Sequence, residues 1–170
     1  WNNAYVEGVT ARRVIVKQAK AGIAVEKSYG TRLVDNTVNG IGYGSSIYLG
    51  PQNVNAKGER NICTGKQNRN ACFALRAKNW GHRIVGNVCT NFNHGIIWDG
   101  EKINEYESEG TRDADVSGNL FVTTGIDQCV NNDYCSVGGL QCVEGAANSK
   151  FVGNLIYGYF ADLSAIYHEC

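Results

Sequence analysis

One asparagine returns in the same setting along this chain. It stands at Asn36, Asn87, Asn119 and Asn154, each time within a short apolar segment: RLVDNTV, RIVGNVC, DVSGNLF and KFVGNLI. The intervals are 51, 32 and 35 residues, which reads as one structural repeat carrying insertions of varying size. An inward amide at a sharp turn between strands can bond the backbone of its own turn and the amide stacked above it, so a buried Asn is tolerated because it repeats. The bland alternative is that Asn is simply common, with 19 in 170 residues. That alternative has to supply four matched contexts by chance.

The surrounding sequence repeats as well. Residues 22–50, 72–100 and 139–170 align as copies of about 30 residues, a degenerate copy lies at 113–130, and the opening ARRVIVKQA is part of an earlier one. Each copy holds short segments rich in β-branched and aromatic residues, separated by Gly, Asn, Ser or Asp. Such segments read as strands, and nothing reads as a long helix.

These motifs, together with the SSIYLG, GIIWDG and SAIYHE segments that follow three of them, resemble the right-handed parallel β-helix family, the pectate-lyase-like solenoids. The resemblance covers most of residues 10–170. It implies an all-β, right-handed parallel β-helix solenoid of roughly four to five coils with few or no helices, three parallel sheets around a stacked apolar interior, and one domain over residues 1–170. A solenoid needs capped ends. No capping helix is evident before residue 12 or after residue 165, and the chain begins with Trp1 and has no Met. The expectation is an excerpt or processed part of a larger chain, with coil ends capped by neighbouring chains or by a homo-oligomer. The likeness is at the level of fold. The arginine-proline pattern of pectate lyases is missing, the sole proline being Pro51, and the signatures of polygalacturonases and pectin methylesterases are missing too.

Charge and cysteine content narrow the setting. Sixteen Lys and Arg balance sixteen Asp and Glu, which argues against a nucleic-acid or anionic-membrane partner. No apolar run reaches the roughly 18 residues of a membrane-spanning helix. Walker A, HExxH and N-glycosylation motifs are absent. The seven cysteines form no CxxC pair, so a zinc or thioredoxin-like site has little support. The close pairs Cys63/Cys72 and Cys129/Cys135 sit in or beside Gly- and Asn-rich stretches, where a bridge would staple a loop. That favours an oxidising, extracellular or surface-exposed location.

Function in a solenoid belongs to outward residues of one sheet and to overhanging loops. Aligning Ile47, Ile97 and Ile166 as inward residues makes Tyr48, Trp98 and Tyr167 an outward aromatic column, suited to stacking on sugar rings. Two alternatives stand beside that: the parity is off by one and the rings are core, or the polar stretch 51–70 folds over them as a loop. Acid and base groups for a glycoside hydrolase or polysaccharide lyase would come from Asp99, Glu101, Asp127 and His168, with His94, Arg76 and Lys78 as further substrate-binding candidates. Asp99 with Glu101 is also a possible Ca²⁺ pair, and no other cofactor is implied. Against these roles, acidic residues at strand ends are commonly solvated turn residues, and Arg76 and Lys78 suit a charged outer face. The acidic stretch 101–113 reads as a second loop. The expected partner is a polysaccharide or glycan. The competing reading is a structural or assembly module without catalysis.

Overall fold

A computed structural model describes residues 6–41, 44–65, 71–76, 78–92, 94–98, 101–104, 107–109, 111–123, 138–143, 147–158 and 166–169. It gives the backbone alone for residues 41, 98, 101–104, 107–109, 123, 138–143 and 166–169. Among the described residues there are strands and turns but no helix. Sheet 1 contains Thr10–Arg12, Arg32–Val34, Lys57–Glu59, Arg83–Val85, Asp115–Ser117 and Lys150–Val152. Sheet 2 contains Ile15–Lys17, Thr37–Ile41, Ile62–Gly65, Val88–Phe92, Leu120–Thr123 and Leu155–Gly158. Sheet 3 contains Ile23–Val25, Ile47–Leu49, Ala71–Leu75, His94–Trp98, Gly138–Val143 and Ile166–Glu169.

All pairings within these sheets are parallel, and each neighbour lies one circuit further along the chain. The strands are therefore successive rungs of a parallel β-solenoid, stacked about 4.8 Å apart. Among the described residues each of these sheets has six strands, which makes six rungs against the four to five expected. The closed core occupies the middle rungs, where Leu33, Ile47, Phe73, Ile84, Ile96 and Phe121 are all buried. At the first rung Ala11, Val16 and Ile23 are only partly covered, and at the last Phe151 is 37% exposed. Gly58 falls on the inward row of sheet 1 between Leu33 and Ile84. A Cβ there would lie 2.8 Å from Phe73 Cε1, so the missing side chain makes room for the ring.

The asparagine ladder is continuous, and it has a member that the motif search passes over. Asn61 lies between Asn36 and Asn87, so the interval of 51 is two rungs of 25 and 26 residues rather than one rung with an insertion. From each ladder residue the backbone N–H and side-chain Nδ2 both donate to Oδ1 of the next asparagine, from Asn36 through Asn61, Asn87 and Asn119 to Asn154. The residue before each ladder asparagine is left-handed: Asp35, Arg60, Gly86, Gly118 and Gly153 have φ of 56°, 54°, 66°, 61° and 62°. Glycine takes that conformation without cost, whereas Asp35 and Arg60 hold it while hydrogen-bonded to each other. A second, shorter ladder runs through Ser28, Asn53 and Asn79 at the corner after sheet 3.

Three further expectations change. Residues 51–65 are not an overhanging loop but most of a rung, with strands Lys57–Glu59 and Ile62–Gly65. Within 101–113, the strands Glu101–Asn104 and Glu107–Glu109 pair antiparallel as a hairpin. Cys72 bonds Cys89 rather than Cys63, tying sheet 3 to sheet 2 inside the core, and Cys63 is a buried free thiol opposite Cys89. The Cys63/Cys72 pairing fails because Cys63 belongs to the stacked inward row Val38–Cys63–Cys89–Phe121 instead of a loop. Cys129 and Cys135 lie outside the described residues.

Candidate functional site

Strand alternation turns every second residue of a sheet outward, so the register decides which residues can meet a ligand. On sheet 3 the inward rows are Ile23–Ile47–Phe73–Ile96 and Val25–Leu49–Leu75. The outward row between them is Ala24, Tyr48, Ala74 and Ile97, and the backbone positions of Gln141 and Tyr167 continue its register. Tyr48 and Tyr167 thus share a row, with Tyr48 half-buried. Trp98 does not join them, because its backbone pairs with Leu75 and Cys142, one residue along from that row. The alignment of Ile97 with Ile47 and Ile166 is the source of the slip. It is Ile96 that shares their row, and Ile97 falls in the row of Tyr48. The aromatic column is therefore two positions separated by three intervening rungs.

The polar candidates scatter. His94 opens its strand opposite Ala71 and Gly138, and its side chain is 7% exposed, packed inside instead of beside the outward row. Burial pushes its pKa down to about 4, which keeps the imidazole neutral. His168 pairs with Cys142, in register with Trp98. Glu101 begins the hairpin and pairs with Glu109. Asp99 and Asp127 lie outside the described residues, and with them the Ca²⁺ pair of Asp99 and Glu101. Arg76 and Lys78 follow the strand Ala71–Leu75 of sheet 3, half-buried and engaged. Among the described residues no three His, Cys, Asp or Glu side chains converge as ligands for a metal ion.

His82 is a buried group that the sequence did not single out. Its Nδ1 accepts the Ala56 N–H at 3.1 Å, and burial pushes its pKa down to about 4. It is a neutral structural acceptor at the corner before sheet 1.

Two other outward faces have a distinct chemistry. On sheet 2 the residue after each ladder asparagine faces out, and with Ile15, which follows Val14 on the first rung, these form the row Ile15, Thr37, Ile62, Val88, Leu120 and Leu155. Ile15, Ile62 and Leu155 are 66%, 52% and 63% exposed. On sheet 1 one outward row reads Thr10, Arg32, Lys57, Arg83, Asp115 and Lys150. Beside it, Arg12 Nε and Arg60 Nε donate to Asp35 at 3.3 and 2.7 Å. The Arg60 and Arg12 guanidiniums hold the Asp35 carboxyl below its usual range despite some desolvation. A concavity of about 200 Å³ opens there, lined by Thr10, Arg12, Arg32, Val34 and Arg60. Motif reading missed this face because basic residues on strands carry no signature until the register stacks them. The repeated R/K at the head of RLV, KGE and RIV was the available signal. Neither a protein-family model nor a curated protein matches the chain.

Proposed function

We propose that this chain is a glycan-binding β-helix of the pectate-lyase-like kind, working in an oxidising extracellular setting and holding a polysaccharide along sheet 3. The observation that carries this reading is the outward Tyr48, with the backbone of Tyr167 at the same register position of one continuous parallel sheet. A parallel stack presents one position at a regular spacing of about 4.8 Å per rung, and a polysaccharide is a ligand with a regular repeat. Tyrosine rings offer faces to the apolar sides of sugars and hydroxyls to their polar edges. The Cys72–Cys89 bond agrees with an oxidising compartment. Processing of the bound polymer, where it occurs, would draw on Asp99, Glu101, Asp127 or His168.

Affinity electrophoresis through gels containing single polysaccharides, neutral and acidic, tests the assignment. At least one polymer should retard the wild-type chain, and Tyr48→Ala should weaken that retardation about tenfold or more. Absence of retardation by every polymer, or a Tyr48→Ala variant that migrates as wild type, refutes it. Assay of the same mixtures for new reducing or unsaturated sugar ends separates binding from cleavage.

The aliphatic row of sheet 2 favours a second reading, a module for assembly with other chains. Three exposed aliphatic side chains in one row, Ile15, Ile62 and Leu155, with the half-buried Val88 and Leu120 between them, suit a contact surface. Concentration-dependent sedimentation that Ile62→Lys abolishes would support assembly over glycan binding.

A further inference from the structure

We propose that the outward face of sheet 1 is a second binding strip, one that takes an acidic glycan by its carboxylate or sulfate groups. Arg32, Lys57 and Arg83 follow one another in register on three adjacent rungs, all exposed, so their cationic heads leave the sheet from positions about 4.8 Å apart along a straight line. Arg12 and Arg60 flank this line, each bonded to Asp35. The shared carboxylate restrains both guanidiniums and leaves part of their donor set unused, since each has five N–H groups. The Arg32 side chain has no hydrogen-bond or ion-pair partner among the described residues, its backbone N–H being held by Val9 O. It faces Arg12 and Arg60 across the 200 Å³ concavity, whose apolar floor is Val34, 4% exposed. Three guanidiniums around a small hollow match a planar carboxylate or a sulfate, which arginine binds through paired N–H donors.

The rest of the face selects the kind of polyanion. Neither outward row of sheet 1 holds an aromatic residue, so there is no platform on which nucleic-acid bases could stack. Glu59 and Asp115 interrupt the cations, Glu59 beside Arg83 at 3.6 Å and Asp115 beside Lys150 at 3.4 Å. A continuous anionic plane such as a bilayer would meet those carboxylates, whereas a single chain with one acidic group per sugar can be placed between them. The chain as a whole is neutral, so the attraction is local to this strip.

Titration calorimetry of the full chain with a highly sulfated glycosaminoglycan, a uronic-acid homopolymer and a neutral glucan provides the test, with anionic phospholipid vesicles and single-stranded DNA as competing probes. At least one acidic glycan should bind, more weakly as salt rises, and the neutral glucan should not bind through this face. Which acidic polymer binds tells sulfate from carboxylate. The double variant Arg32→Gln with Lys57→Gln, both side chains being exposed, should fold normally by circular dichroism and lose at least tenfold in affinity for the acidic glycan. Tyr48→Ala should leave that affinity unchanged. No binding to either acidic polymer, unaltered binding by the double variant, or equal affinity for vesicles or DNA overturns the assignment. Sheet 3 is not needed for this strip: binding of neutral polysaccharide through Tyr48 alone would end this proposal and leave the sheet 3 reading intact, and acidic-glycan binding with no polymer of any kind sensitive to Tyr48→Ala would do the reverse.

Discussion

Asn61 is the sharpest place to perturb the ladder, because it is fully buried and bonded on both sides. Its Oδ1 accepts from Asn36 N at 3.1 Å and Asn36 Nδ2 at 3.0 Å, and its Nδ2 donates to Leu33 O and Asn87 Oδ1, both at 2.9 Å. Asn61→Ala removes all four bonds. Asn87 Oδ1 keeps the Asn61 backbone N–H at 2.8 Å, but two donors of Asn36 and one lone pair of Leu33 O lose this partner in a region without water access. A stranded buried polar group costs roughly 1–3 kcal/mol, so the expected destabilisation is about 3–5 kcal/mol, a large part of the roughly 5–15 kcal/mol that holds a domain folded. Asn154 also accepts two bonds from Asn119, at 3.0 and 2.8 Å, but it is half-exposed at the last rung and water can replace it. Asn154→Ala should therefore cost about 1–2 kcal/mol. Asn39→Ala, on the outward row of sheet 2, should stay within roughly 0.5 kcal/mol. Urea denaturation of the three variants, with the slope compared to wild type, measures the order. A double-mutant cycle with Asn36→Ala should show the pair costing about 1 kcal/mol less than the sum, since one stranded donor disappears with Asn36. The reasoning fails if Asn61→Ala is no more harmful than Asn154→Ala, or if the cycle shows no coupling.

Acid should loosen the fold through the buried His82 and His94. The folded pKa of about 4 for both His82 and His94 is below the unfolded value near 6.5. The unfolded chain therefore takes up protons first, and stability fully present above pH 6.5 is lost as pH falls toward 4. From pH 7 to pH 5 the loss is about 2 kcal/mol for each histidine. Urea midpoints measured at both pH values should show it, His82→Gln should flatten the dependence, and a midpoint independent of pH would refute this account. Reduction of Cys72–Cys89, which closes a separation of 17 residues, should cost about 3 kcal/mol. Under native conditions Cys63 should resist alkylation, because it is wholly buried and burial pushes its thiol up to about 12. Rapid native labelling of Cys63, or a midpoint unmoved by reductant, would contradict that picture.

The parallel solenoid was legible because stacking writes the same demand into the sequence at every rung. An inward amide is stable only beside another, so Asn36, Asn87, Asn119 and Asn154 announce the architecture together. Asn61 escaped because its neighbours, ERNICTG, present Arg60 where other rungs carry glycine or aspartate, and an ion pair with Asp35 does the restraining. The spacing held the correction: Asn53 to Asn79 and Asn61 to Asn87 are both 26 residues apart. Two different asparagine columns with one period locate a complete rung in what reads, by composition alone, as a polar loop. Cys63 and Cys72 were misread for the same reason, since cysteines assigned to a loop acquire a loop's disulfide.

Outward positions carry no such demand. Nothing in the stack requires the neighbours of Tyr48 to be aromatic, and the row supplies Ala24 and Ala74 on either side of it. A reading of the surface therefore depends on parity, and parity fails on a slip of one residue. GIIWDG contains two adjacent isoleucines, either of which could be the inward one, and choosing Ile97 over Ile96 moved Trp98 into the wrong row. The cationic strip of sheet 1 illustrates the converse. Arg32, Lys57 and Arg83 are unremarkable at intervals of about one rung in the sequence, and they become a site only when parallel register sets them in line. In this architecture the core specifies the fold and the register, and the chemistry of a face is a property of stacked rows that no single segment displays.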